Sequence, residues 1–92
     1  MNNAARIERM RDLLEQTFNP VSLEIEDQSH LHAGHAGARE GKGHFRVDLV
    51  AADFAGLPLI KRHRLVYEAL GDMMETDIHA LIINASPPDS GD

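Results

Sequence analysis

The chain has 92 residues, 42% of them hydrophobic, with fifteen acids against nine lysines and arginines for a formal net charge of -6. That length makes one small domain with a modest core, and the acidic balance counts against sequence-independent binding to duplex nucleic acid or to an anionic membrane, since both rest on phosphate neutralisation. With no cysteine, the chain has no disulfide, no catalytic thiol, no cysteine-based zinc site and no means of holding an iron–sulfur cluster alone.

Ile7, Met10, Leu14 and Phe18 recur at helical spacing, with Arg9, Arg11, Asp12 and Glu15 on other faces. Asn2 or Asn3 can cap the start and Asn19-Pro20 stops the run, which predicts a helix over 3–18. The first twenty residues hold no continuous apolar segment, and Glu8, Asp12 and Glu15 are poor company for a transit peptide. Nothing is long and apolar enough to span a bilayer, so a soluble protein of the cytoplasm is expected, with no membrane partner. Val21, Leu23 and Ile25 then alternate with Ser22, Glu24 and Glu26, a strand over 21–26 with one buried face.

From 27 to 43 the pattern stops. This stretch holds four of the seven glycines and three of the six histidines, and it reads as a loop of a length that is usually functional or disordered; residues 28–42 should be the most mobile internal segment. Alternation resumes over 44–50, where Phe45, Val47 and Leu49 share a face, and the two strands are expected to pair antiparallel. A turn with a buried Phe54 leads to Pro58, which opens a helix predicted over 59–75. Its inward stripe is Ile60, His63, Tyr67, Leu70 and Met74, with Val66 and Met73 beside it. A third strand over 78–84 should lie parallel to the second across this helical crossover, and the polar tail over 87–92 should be disordered. The expected domain, residues 1–86, is therefore α+β in the order α-β-β-α-β, with helices on one face of a three-stranded mixed sheet.

The histidines carry the chemistry. His30, His32 and His35 fall within six residues on the long loop, close enough to chelate Zn²⁺ or another divalent metal. His79 alternates with Leu81 and Ile83 and is expected on their face; spacing alone leaves it either a hydrogen-bonded structural residue or a ligand. His63 reads as a core histidine and His44, at a strand start, as structural. Lys61, Arg62 and Arg64 form the one dense basic cluster, a patch for phosphate or an acidic partner, or a solvated face balanced by Glu68 and Asp72. The chain has no Gly-x-x-Gly clamp, and its few aromatics look like core, which counts against RNA. There is no nucleophile–base pair, carboxylate dyad or phosphate loop, so no enzyme is expected.

These elements and several local signatures resemble the BolA family. The signatures are Phe18-Asn19-Pro20-Val21 leading into Leu23-Glu24-Ile25, Asp27-Gln28-Ser29 followed by His32, and Gly43-His44-Phe45-Arg46-Val47. The most specific are Phe54-Ala55-Gly56 running through Arg62-His63-Arg64-Leu65-Val66-Tyr67 to Leu70, then Ile78-His79-Ala80-Leu81. The resemblance covers residues 5–84, and departs from the family in a loop richer in His and Gly and in an end marked by prolines. It implies a fold similar to the type II KH domain. It also implies partnership with a monothiol glutaredoxin around a bridging 2Fe–2S cluster, with thiolates from glutaredoxin and glutathione and imidazoles from this chain. The matching ligands would be His79 and His32, with His35 and His30 open as alternatives on spacing. A DNA-binding regulator acting through the basic helix is the other activity the resemblance implies, and pairing of the chain with itself is left open.

Overall fold

The computed structural model describes residues 2–29 and 41–88. Helix α1 (Asn3–Phe18) begins where the Asn2 side chain accepts the Ala5 amide at 2.8 Å, satisfying one of the amides a helix start leaves unpaired. It ends at Asn19, whose φ of 49° turns the chain out of the helix. Its buried face is Arg6, Met10, Leu14 and Phe18. Ile7, expected on that stripe, is only partly buried, and a cation leads the row instead.

Strand β1 (Ser22–Asp27) pairs antiparallel with β2 (Gly43–Val50), with Leu23 opposite Leu49 and Ile25 opposite Val47. Strand β3 (Ile78–Ser86) lies parallel on the other side of β2, so the sheet order is β1-β2-β3. Phe45, Val47 and Leu49 turn inward as their alternation predicts, onto a core shared with Met10, Leu14, Val66, Leu70 and Ile83. Each fully buried side chain of this kind contributes roughly 1.5–3 kcal/mol through removal from water. After β2 a short 3₁₀ turn (Ala52–Phe54) drops Phe54 into the core against Phe18, ring centroids 5.0 Å apart.

The helix expected over 59–75 is two. Helix α2 (Leu59–Leu70) stops at Gly71, whose φ of 56° suits a residue without Cβ, and a single separate turn, α3 (Met73–Thr76), follows. The inward stripe differs accordingly. Val66, Leu70 and Met73 are buried, whereas Ile60 is 67% and Tyr67 41% exposed and His63 is only partly covered. Two apolar rows compete for the inside of this helix, and the row that meets α1 and β3 wins. Residues 30–40 of the segment expected to be mobile, and the tail from Asp89, lie outside those described.

A candidate metal-ligand site at the start of the third strand

The register of β2 and β3 slips by one residue where they begin: Gly43 faces Ile78, but His44 faces Ala80. His79 is therefore the extra residue of a β-bulge, a device that re-aims a side chain out of its strand's alternation. Strict alternation would put His79 on the face of Leu81 and Ile83. Instead Ile78 is buried and His79 is exposed. The expectation of a shared face fails because the bulge resets the parity between residues 78 and 80. The imidazole thus stands outward, on backbone tied to β2 on both sides of the bulge.

Beside it lies the ring of His44, centroid 5.1 Å away and tilted by 56°. His44 is 3% exposed although it lies next to the start of β2. Its amide donates to the Ser29 hydroxyl at 3.0 Å and its carbonyl accepts the Gln28 amide at 2.8 Å. Gly43 is required at the turn into the site: a Cβ there would come within 2.5 Å of the buried Phe45 ring, and the Gly43 amide donates to the Asp77 carbonyl at 2.9 Å.

A set of side chains that spacing rules did not single out surrounds this corner. Arg6 Nε donates to Asp77 Oδ1 at 3.3 Å, in an ion pair with side chains only 11% and 16% exposed. Its Nη1 donates to Asn3 Oδ1 at 2.9 Å. The Asn3 amide in turn donates to Asp27 Oδ2 and to Ser29 Oγ, both at 3.1 Å. One sequence signal was available: Arg6 stands four residues before Met10, a charge on an otherwise apolar stripe.

His30, His32 and His35 lie outside the described residues, whose nearest ends are Ser29 and Gly41. Of the basic cluster, Lys61 and Arg64 are exposed. Arg62 does not project freely with them: Nε donates to the Leu57 carbonyl at 2.7 Å and Nη1 to that of Ala85 at 3.0 Å, fastening α2 to β3. His63 is only partly covered and lines an open groove between those two elements with Leu59 and Ile83. Among the described residues no helix is long and apolar enough to cross a membrane.

Among the described residues no three histidine or acidic side chains converge to hold a metal. An exposed imidazole on a fixed strand is still a competent single ligand for iron or zinc, to be completed by donors from elsewhere.

Comparison with known proteins agrees with this architecture. The family model described as BolA-like protein matches residues 14–90. The chain is 45% identical over 89 residues to Protein BOLA1, chloroplastic, of Arabidopsis thaliana, covering 92% of this chain and 56% of that protein. It thus spans little more than half the length of that relative. The DNA-binding transcriptional regulator BolA of Escherichia coli is 38% identical over 77 residues, 84% of this chain and 70% of that one. The solved BolA domain of SufE1 from Arabidopsis thaliana superposes with a TM-score of 0.79 at 42% identity, covering 90% of this chain and 92% of that domain. With the family model matching from the last turn of α1 through β3 and the same fold in a solved relative, this chain belongs to the BolA family.

Proposed function

We propose that the chain is a non-enzymatic adaptor that shares a 2Fe–2S cluster with a monothiol glutaredoxin, in cluster trafficking or iron sensing. His79 is the ligand from β3 and His32 the ligand from the loop, with His35 and His30 as substitutes; glutaredoxin and glutathione bring the thiolates. Family membership supports the reading, and one observation carries it: an exposed imidazole set out of register on a strand paired to β2 along its length. Such a ligand is placed by the fold before metal arrives. A cluster with imidazole in place of thiolate has a raised potential, which suits exchange or sensing.

The test is to mix the protein with a monothiol glutaredoxin, glutathione, iron and sulfide and to record visible absorption and circular dichroism. A spectrum distinct from that of the glutaredoxin homodimer, lost in His79→Ala, is the expected result. His32→Ala should weaken or shift it, and only the triple change of His30, His32 and His35 should approach the loss seen in His79→Ala. An unchanged mixed spectrum in His79→Ala would return His79 to a structural role.

A second reading has its own observation. Lys61 and Arg64 are exposed on α2, and the Escherichia coli relative is named a DNA-binding regulator. Salt-sensitive binding to promoter DNA, lost in the double change of Lys61 and Arg64 to Ala and accompanied by no cluster spectrum, would favour it.

A further inference from the structure

Arg6 is placed where stability gives little reason for it. It sits in the first turn of α1, where the helix dipole disfavours a cation, and it is 9% exposed on a face otherwise apolar. Charges so placed need partners, and those of Arg6 come from two directions. Nε reaches Asp77, two residues before His79 and hydrogen-bonded through its carbonyl to Gly43. Nη1 reaches Asn3, which holds Asp27 and Ser29; the Ser29 hydroxyl then accepts the amide of His44, whose ring faces that of His79.

We propose that Arg6 is a positioning residue for the His79 imidazole: its two-pronged guanidinium sets the β3 bulge, the start of β2 and the turn at Ser29 just after β1 in one frame. The proposal rests on His79 being the ligand, as above, and adds what determines where that ligand stands. A bulge is a point of local freedom in a sheet, since its extra residue has no ladder partner. Without an outside brace the chain between Asp77 and Ala80 could relax toward regular pairing, which would turn the imidazole toward the core face. Arg6 opposes this by anchoring Asp77 from the helix. Lysine cannot replace it, because one ammonium on a flexible stem does not present two divergent donors in a rigid plane.

The test uses the metal-free protein, so it does not depend on any cluster forming. In the wild-type chain, NMR should show cross-ring contacts between His44 and His79 and a His79 ring resonance displaced from that of a mobile side chain. Arg6→Lys keeps the charge and loses the fork. It should abolish the cross-ring contacts and move the His79 ring signals toward unstructured values, while the Phe18 and Phe54 signals stay in place. Asn3→Ala cuts only the other prong: the Gln28 and Ser29 amides should shift and His79 should move less than in Arg6→Lys. If Arg6→Lys fails to fold, Asp77→Asn weakens the same contact from the other side, with the same effect expected at His79. Unchanged His79 signals in a folded Arg6→Lys or Asp77→Asn protein would overturn the proposal, whatever happens to stability. A wild-type chain that shows the ring contacts yet yields no mixed cluster would instead count against the function and leave the positioning role standing.

Discussion

Where Phe18 meets Phe54, at the end of the sheet where β1 begins and β2 ends, cohesion comes mainly from packed rings and aliphatic chains, with Arg62 adding bonds to the Leu57 and Ala85 carbonyls. At the other end, where β3 begins, Arg6, Asn3, Asp27, Ser29 and Asp77 are joined by directional bonds between 2.9 and 3.3 Å. Apolar packing is non-directional and scales with area, so the first end supplies stability and tolerates small adjustments. Polar networks contribute less net energy but specify geometry, because a donor displaced by an ångström is a donor lost. The side chain proposed to bind metal stands at the second end.

The sharpest division of the two ends is a large loss of stability with the site intact. Phe54→Ala should cost about 3–5 kcal/mol by cavity formation in the core. Chemical denaturation should show this, while the His44–His79 ring contacts persist in the fraction that remains folded. Loss of those contacts in folded protein would mean the ends are coupled. Arg6→Ala should cost less, about 1.5–3 kcal/mol, by leaving Asp77 without its charged donor. Unlike Phe54→Ala, it should disturb the His79 signals of protein that is still folded. Gly43→Ala should cost about 1–3 kcal/mol through the clash with Phe45, with the amide of residue 43 shifting most as its bond to Asp77 strains. The smallest stability effect belongs to the side chain proposed as the ligand. His79→Ala removes an exposed group and should change stability by no more than about 0.5 kcal/mol, while abolishing the mixed cluster spectrum.

The apolar end was readable in advance and the polar end only in part. The spacing of Met10, Leu14 and Phe18, the Asn caps and the alternation of Phe45, Val47 and Leu49 reproduce α1 and the strand pair, because period and burial are the same fact seen twice. In the second helical region Ile60-Tyr67 and Val66-Leu70-Met73 are both plausible stripes. The choice is made by tertiary contact, which has no local signature, and by the break at Gly71, where a glycine is itself a stop signal that the apolar spacing running on to Met74 overrode. A bulge has no signature either. One inserted residue in a nine-residue strand leaves the count of apolar positions almost unaltered, so His79 was readable as a candidate and not as an outward-facing one. Arg6 was visible only as a charge out of place on an apolar row.

The bond between Arg6 and Asp77 joins residues 71 positions apart. Closing so long a stretch of chain is entropically unfavourable and slow relative to local structure, so contacts of this kind form late in folding. During synthesis the helix bearing Arg6 leaves the ribosome long before β3, and the segment with the three neighbouring histidines is exposed to the cell well ahead of His79. A half-made chain therefore carries imidazoles but no frame to aim them. The frame proposed to position His79 closes only after β3 has been made, so the Arg6–Asp77 contact sets an order of assembly as well as a geometry.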